Sequence, residues 1–477
     1  MKLVDTHCHL HRSEYDADRP AVLERAKAAG VIAIIDPAVE ADSNEQVLKS
    51  CAATPEVYGA VGLHPNHAGE WSEDFHRRLR GWAGAEKVVA IGEVGLDYYR
   101  QTAPRETQQK VLARLLSLAA ELDKPVILHC RDAGLPGEGT GEIYRDLFRI
   151  LRGVGRPLRG VLHCFAGPPE AALQGIEMGL LISFAGNLTF KKGERLRQTA
   201  RSIPFDKVVL ETDGPFLAPQ ARRGSRNEPA FLTELVKTWT EILDLTPEDI
   251  ARVTTVNAHF LFGVGPAPER GRIAYPIRHS LYINLTNACT DRCVFCALSV
   301  DDFWKGEGTS PFVKGHHLRM RRDPTVAEIL EAAGDPSGYE EVVFCGYGEP
   351  MIRLKELLEA ARGLKARGAR RIRVNTNGHG NLIHKRSIAP ELKGAVDECS
   401  VSLNTPDAES YLQLCRPHFG LAAYDGIKTF IRECRDAGLK VVATAVGMPG
   451  VDIPACRRVA EEELKVPFRE RTYNDLG

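Results

Sequence analysis

The sequence has no apolar run long enough to cross a bilayer. Its longest proline-free one, Ala28 to Ile35, spans eight residues, against the ~18 that a membrane helix needs. The opening MKLVDTHCHL has no apolar h-region and no small-residue cleavage site, so no signal peptide, no membrane partner and a cytoplasmic location are expected. Charge of one sign is missing too. The formal net charge is −1, and a cut after Gly263 leaves 32 basic against 35 acidic residues, then 30 against 28. Neither half carries the basic excess of a tight, non-specific nucleic-acid binder. A nucleic-acid substrate remains open if metals, rather than a basic patch, hold its phosphate. With 43% apolar and 26% charged residues, disorder, collagen and fibre are excluded. A chain of 477 residues implies two or three domains.

Cysteine is unevenly spread: four of the twelve precede Gly263 and eight follow it. In a cytosolic chain such clustering argues for metal or redox chemistry rather than disulfides. The Gly/Pro-rich stretch GVGPAPERGRIAYP marks a linker at 264–278 between domains 1–263 and 279–477, because both residues punctuate helices and strands. Before it, eight β-rich runs (Lys2–Asp5, Val31–Asp36, Tyr58–Leu63, Val88–Gly92, Pro125–His129, Gly160–Cys164, Leu180–Phe184, Val208–Thr212) alternate with helical patterns such as Arg105–Leu122. That alternation over about 260 residues predicts a (β/α)8 TIM barrel. After the linker, runs at Ser280–Leu285, Glu341–Cys345, Arg371–Asn375, Glu398–Leu403, Lys440–Ala445 and Phe468–Tyr473 predict an α/β partial (β/α)6 barrel.

Barrel active sites lie at the C-terminal ends of the strands. The first run leads into Asp5-Thr-His7-Cys-His9, and strand alternation puts His7 and His9 on one side. Others lead into Glu93, His129, His163 and Asp213. A lone histidine at a strand end is more often structural than a ligand. Four histidines and two carboxylates on five strand ends instead suit two borderline or hard divalent ions sharing a bridge. Cys8, Cys130 and Cys164 each follow one of these histidines, so alternation turns them away as small buried hydrophobes. The run Arg222-Arg223-Gly-Ser-Arg226 reads equally as a phosphate contact or a solvated loop.

The segments DTHCHL at 5–10, GLHP at 62–65, GEVGLDYY at 92–99, HCRD at 129–132, HCFAG at 163–167, ETDGPFL at 211–217 and RNEPAFL at 226–232 together resemble the TatD family of metal-dependent hydrolases. The resemblance implies that His7, His9, Glu93 and Asp213 hold one metal and Glu93, His129 and His163 the other. Glu93 would be the bridge, Asp213 also the base for the attacking water, and His64 would face the substrate phosphate. The metals would be zinc, manganese or magnesium. The implied activity is that of a deoxyribonuclease or 3′-exonuclease on a nucleic acid or nucleotide. His11 stands where the family often has an acidic residue, and Ala166 where it often has serine; neither is a predicted ligand.

In the second half, Asn287-Ala-Cys289-Thr-Asp-Arg-Cys293-Val-Phe-Cys296 places three thiolates within eight residues. A zinc knuckle would need a fourth ligand, and no second cysteine pair stands nearby at that spacing. An iron–sulfur cubane held by three cysteines keeps one iron open. The Cys-x3-Cys-x2-Cys spacing, with Cys345-Gly346-Tyr-Gly348-Glu349-Pro350 after the next run, resembles the radical S-adenosylmethionine superfamily. The resemblance implies a 4Fe–4S cluster on Cys289, Cys293 and Cys296, S-adenosylmethionine, and release of a 5′-deoxyadenosyl radical. It also implies an electron donor of flavodoxin or ferredoxin type. Gly346 and Gly348 would let the backbone approach the methionine amino group, Glu349 would be structural or a minor contact, Asn375, Asn377, Ser402 and Asn404 would sit near ribose and carboxylate, and Phe295 near adenine. Cys399, Cys415, Cys434 and Cys456 lack tight spacing and read as packing residues. The expected protein is thus a bifunctional enzyme, with two alternatives. One is an ester, amide or aminoacyl-ester hydrolase on the same metals. The other is a first barrel that presents a nucleic acid or nucleotide to the radical site.

Overall fold

The computed structural model describes residues 1–133, 141–296 and 312–472; the end of the predicted run at Tyr473 lies outside them. The chain forms two compact units, Met1–Ala267 and Pro268–Gly477, each with its own hydrophobic core. Among the described residues no helix is long and apolar enough to cross a membrane.

The first unit is an eight-stranded parallel sheet in sequential order: β1 Leu3–Asp5, β2 Val31–Pro37, β3 Val57–Val61, β4 Val88–Asp97, β5 Val126–Arg131, β6 Gly160–Leu162, β7 Leu180–Phe184 and β8 Val208–Leu210. Between and after them run α1 Arg19–Ala28, α2 Ser43–Ala53, α3 Glu73–Ala83, α4 Arg105–Glu121, α5 Glu142–Gly153, α6 Pro169–Glu177, α7 Glu194–Ser202, α8 Leu232–Leu243 and α9 Pro247–Phe262. The Thr6 amide donates to the Leu210 carbonyl at 2.9 Å and the Asp213 amide to that of His7 at 2.8 Å, so β1 and β8 meet and the TIM barrel closes. The last helix is locally encoded: Thr246 and Asp249 form a capping box, Pro247 follows the cap, and Gly263 ends the helix at φ +72°. In α5, Ile143, Tyr144, Leu147, Phe148, Ile150 and Leu151 are buried, a helical stripe against the sheet.

The second unit is a seven-stranded sheet ordered β17-β16-β15-β14-β13-β10-β9, from β9 Ala274–Ile277, β10 Ser280–Ile283, β13 Glu341–Phe344, β14 Ile372–Thr376, β15 Glu398–Ser402, β16 Lys440–Gly447 and β17 Phe468–Thr472; a two-stranded ribbon, β11 Phe312–Val313 and β12 His316–His317, lies apart. Its helices are α10 Val326–Ala333, α11 Leu354–Ala366, α12 Gly380–His384, α13 Ala389–Leu392, α14 Ala408–Cys415, α15 Ala422–Asp436 and α16 Ile453–Arg458. Six strands run parallel, as a partial (β/α)6 barrel requires, and β9 adds an antiparallel edge. That edge corrects the linker predicted at 264–278, since Ala274–Ile277 pairs with β10. Pro276 read as a breaker, but an edge strand tolerates a residue with no amide to donate. At the other end of that stretch, the Gly265 carbonyl lies 3.2 Å from His259 Nδ1 and belongs to the first unit.

Candidate metal centre and cysteine loop

In the first unit the predicted ligands converge at the C-terminal ends of the strands. His7 and His9 lie just beyond β1, Glu93 within β4, His129 within β5, and His163 and Asp213 just beyond β6 and β8. The Glu93 carboxylate is buried between two groups of donors. Its Oε2 lies 3.5 Å from His7 Nε2 and 3.6 Å from His9 Nε2. Asp213 Oδ1 stands 3.7 and 3.6 Å from the same nitrogens, which are 3.2 Å apart. An ion bound at about 2.0–2.2 Å in a tetrahedron leaves its donors about 3.3–3.6 Å apart, so this set fits a divalent ion. On the other side, Glu93 Oε1 lies 2.7 Å from His129 Nδ1 and 2.8 Å from His163 Nε2, with 3.3 Å between the two nitrogens.

Tautomers follow from the surrounding hydrogen bonds. His9 Nδ1 donates to the Pro37 carbonyl at 3.0 Å, leaving the Nε2 lone pair toward the site. His129 Nε2 faces Asp97 Oδ2 at 3.3 Å, leaving Nδ1 toward Glu93. His163 Nδ1 stands 3.7 Å from Glu211 Oε1, whose carboxylate also accepts the Cys164 amide and the Ser183 hydroxyl, each at 2.6 Å. His64 differs: its Nδ1 accepts the Asn66 amide at 3.1 Å, so the neutral ring carries its proton on Nε2, 3.6 Å from Glu93 Oε1. It is thus set as a donor for an anionic oxygen rather than as a ligand.

Burial opposes charge throughout this cluster, and the mutual fields decide the outcome. Burial would raise Glu93, but the charge of His163 and hydrogen bonds from His129 and His163 hold it well below the carboxylate range. Burial would lower His163, yet Glu93 and Glu211 raise it well above an ordinary histidine. For His7 burial wins, with His163 adding repulsion, and its pKa falls to about 4. Asp213 adopts φ +57°, and its side chain is 13% exposed against 0–4% for His7, His9 and Glu93. Of these four it is therefore the most open to the cavity above.

That cavity, about 960 Å³, is lined by all the converging groups except His7. At its lip stand two large exposed aromatics, Tyr99 (55%) and Phe216 (44%). The Arg131 guanidinium lies 4.1 Å over the Tyr99 ring, Arg12 5.3 Å over Phe216, and Arg223 4.4 Å over the cavity-lining Phe190. The arginine run 222–226 thus divides: Arg223 stacks, while Arg226 is an internal clamp, donating to both Asp18 oxygens at 2.7 and 2.9 Å. Of the three cysteines beside ligands, Cys8 is turned away, its thiol 3.7 Å from the Tyr15 hydroxyl. Cys130 and Cys164 instead line the cavity. Alternation fails at Cys164 because it takes φ +46° just past the short β6.

The supporting carboxylates Asp5, Asp97 and Glu211 were not singled out from sequence. Glu211 and Asp97 stand two and four residues from ligands in the quoted segments, which is the signal available. His11, replacing the usual acidic residue, is held by Asp36 Oδ1 at 2.6 Å.

In the second unit the cysteine loop leaves the C-terminal end of β10. Cys289 is exposed, Cys293 and Cys296 half-buried. The loop is tied to the end of α14, because the Arg292 amide donates to the Cys415 carbonyl at 2.9 Å and that of Val294 to Leu414 at 3.0 Å. Cys415 is buried in the core of this unit, and with burial it raises the neighbouring Cys293 thiol. Asn404 Nδ2 donates to the Cys415 sulfur at 3.4 Å. Phe295 packs against the core of this unit.

The two glycines have a steric reason within the chain. A Cβ on Gly346 would lie 2.1 Å from Asn284 Oδ1, and one on Gly348 2.2 Å from the Ala288 carbonyl. Glu349 is a buried pin: Oε1 accepts the Met351 amide (2.9 Å) and the Thr376 hydroxyl (2.8 Å), and Oε2 the Asn377 amide (2.8 Å). Burial raises it to about 7. Asn377 Nδ2 donates to Thr290 Oγ1 at 2.8 Å, bracing the cysteine loop. Asn375 Oδ1 accepts from Arg373 at 2.5 Å, and Ser402 ends β15 half-buried. Three thiols on one braced loop suit a cluster with an open iron.

The family profile described as TatD related DNase matches residues 4–263, and that of the Radical SAM superfamily matches 283–461. The uncharacterized metal-dependent hydrolase YabD of Bacillus subtilis is 35% identical over 263 residues, 55% of this chain and 99% of that protein. The 3′-5′ ssDNA/RNA exonuclease TatD of a Rahnella species is 34% identical over 262 residues, 54% of this chain and 96% of its own length. The crystal structure of YJJV, a TatD homologue of Escherichia coli, matches with a TM-score of 0.51 at 30% identity, covering 55% of this chain and 98% of that one.

Proposed function

The chain belongs to the TatD-related DNase family through residues 4–263 and carries a Radical SAM domain over 283–461, and from that premise we propose a bifunctional enzyme whose first unit hydrolyses phosphodiester bonds of single-stranded nucleic acid on two divalent ions. The observation that carries this reading is the Glu93 carboxylate with one oxygen toward each donor set. His7, His9, Asp213 and Glu93 Oε2 would hold one ion, and His129, His163 and Glu93 Oε1 the other. When bound, zinc, manganese or magnesium supplies Lewis-acid charge at the phosphorus and makes an attacking water more acidic.

The chain's own groups do the rest. His64 donates its Nε2 proton to a non-bridging phosphate oxygen, which fixes the phosphorus in place. Asp213, the most exposed of the four groups around the first ion, accepts the proton of the attacking water. A bond forms from that water oxygen to phosphorus as the bond to the 3′ or 5′ oxygen breaks, and the leaving oxygen takes up a proton. Tyr99, Phe216 and Phe190, each under a guanidinium, give bases a stacking platform and phosphates a positive lip, as single strands require. In the second unit, a 4Fe–4S cluster on Cys289, Cys293 and Cys296 with S-adenosylmethionine would supply hydrogen-atom abstraction, fed by an external electron donor of flavodoxin or ferredoxin type.

The test is a panel of single-stranded DNA, RNA, a chromogenic phosphodiester, a carboxylic ester and an amide, each with Zn, Mn or Mg. Diester hydrolysis that disappears in His129→Ala and Asp213→Asn is expected. Faster turnover of the ester or amide would replace the nuclease reading with that of an acyl hydrolase. In parallel, Cys293→Ala should lose iron and stop 5′-deoxyadenosine release.

A further inference from the structure

In the second unit a hollow of about 520 Å³ is lined by Arg270, Arg319, Arg321, Arg322 and His317, with one acid, Glu328. We propose that this hollow binds the phosphodiester backbone of a single-stranded nucleic acid and holds it beside the cysteine loop. The choice of nucleic acid among polyanions rests on the hydrolase reading of the first unit.

The charge is uncompensated where it matters. Arg322 is paired with Glu328 and Arg272 with Glu269. Arg270, Arg319 and Arg321 are exposed and make no ion pair among the described residues. A guanidinium stays charged at any working pH, and its planar fork takes two phosphate oxygens at once. Three unpaired forks around one concavity form a local positive field that the net charge of −1 conceals.

The hollow is built rather than incidental. Two segments distant in sequence are zipped together: the Gly271 amide donates to His317 Nδ1 at 3.1 Å and the Arg272 amide to the His317 carbonyl at 2.9 Å. Asn287, two residues before Cys289, clasps the arginine strap through both atoms of its amide. Its Nδ2 donates to the Met320 carbonyl at 2.7 Å, and its Oδ1 accepts the Met320 amide at 3.1 Å. Asn284, just past β10, donates to the Leu318 carbonyl at 2.6 Å and to that of Arg272 at 3.1 Å. The arginines are therefore anchored at the end of the strand from which the cysteine loop leaves.

The experiment measures anisotropy of a labelled oligothymidylate of about 20 nucleotides with the full chain across a salt series. The charge-reversed Arg270→Glu/Arg319→Glu/Arg321→Glu chain should bind at least about tenfold more weakly. Its log–log salt slope should be shallower by about 2, from three phosphates at about 0.7 each. Arg319→Lys/Arg321→Lys keeps the charge and should keep the slope, which separates lost charge from a misfolded strap. Hydrolysis of a chromogenic phosphodiester reads the first unit separately, so a failure of that reading leaves the affinity comparison standing. Unchanged affinity and slope in the charge-reversed chain overturn the proposal. Equal weakening toward a polyglutamate peptide also overturns it, by assigning the hollow to an acidic protein.

Discussion

Replacing Glu93 by glutamine tests the metal centre at its bridge. The substitution keeps the shape and removes the charge and one acceptor oxygen. Oε1 makes the two shortest contacts, 2.7 Å to His129 and 2.8 Å to His163, whereas Oε2 stands 3.5 and 3.6 Å from His7 and His9. The amide oxygen should therefore stay with His129 and His163, and the NH2 group should turn toward His7 and His9. An NH2 group cannot ligate, so the set of His7, His9 and Asp213 loses a donor while the other set keeps its own. Removing one charged partner from a buried cluster costs about 3–5 kcal/mol, or roughly two to almost four decades of affinity. Equilibrium dialysis with metal analysis should show two equivalents per chain in the wild type and one in the variant. Diester hydrolysis should fall by at least about a hundredfold, because one ion of the pair is gone. Two equivalents held with wild-type affinity would refute the bridge.

Phe216→Ala or Tyr99→Ala should raise KM for an oligonucleotide by about 5- to 150-fold, matching about 1–3 kcal/mol per stacked base. Turnover of a small chromogenic diester should stay within about twofold; equal loss on both substrates would mean the rings only support the cavity wall. Gly346→Ala puts a methyl group 2.1 Å from Asn284 Oδ1, so the strand end must part from the cysteine loop and iron bound after reconstitution should fall; full iron content would contradict that packing. Glu349 has a folded pKa of about 7 against an ordinary 4.5, so the folded state binds the extra proton between those values. Stability of the second unit in iron-free protein should then fall as pH rises through that window, by about 3 kcal/mol in all. Calorimetry of Glu349→Gln, which cannot ionise, should show no such slope from that residue.

The barrel was legible because β-rich runs and helical patterns alternate at a length that only parallel strands with crossover helices satisfy. The runs overshot at β6 and β8, where the candidate-ligand segments follow directly on the last ladder residue. The candidate ligands stood out because they combine rare residue types with fixed places at strand ends. Their partners did not: Asp97 and Glu211 are ordinary carboxylates in sequence, and only the fold brings them to imidazole nitrogens, while Asp5 is brought to the amide and hydroxyl of Thr212. Edge strand β9 was hidden by the residue that suits an edge, Pro276. Gly346 and Gly348 are expected to admit the methionine amino group, and within the chain the atoms that approach them are those of Asn284 and of the Thr286 and Ala288 carbonyls. Cys415 carries no spacing signal, because its neighbour Cys293 is more than a hundred residues away in the chain.

Composition says little about local charge, because it does not show how the charges are sorted. Near-neutral halves leave a nucleic-acid substrate possible if metals rather than a basic patch hold its phosphate. In the first unit Arg131 and Arg223 rest on aromatic faces and make no ion pair among the described residues, so their charge is available to a ligand. In the second unit the acids Glu328 and Glu269 each neutralise one arginine and leave three others facing a hollow. Elsewhere the balance is restored by surface pairs such as Arg80 with Glu121 and Arg386 with Glu391, whose fields cancel within a few ångströms. A ligand at the lip or in the hollow meets the uncancelled arginines alone. Net charge thus sets long-range attraction, and pairing sets local affinity, so a neutral chain can hold a polyanion at selected places without binding it everywhere.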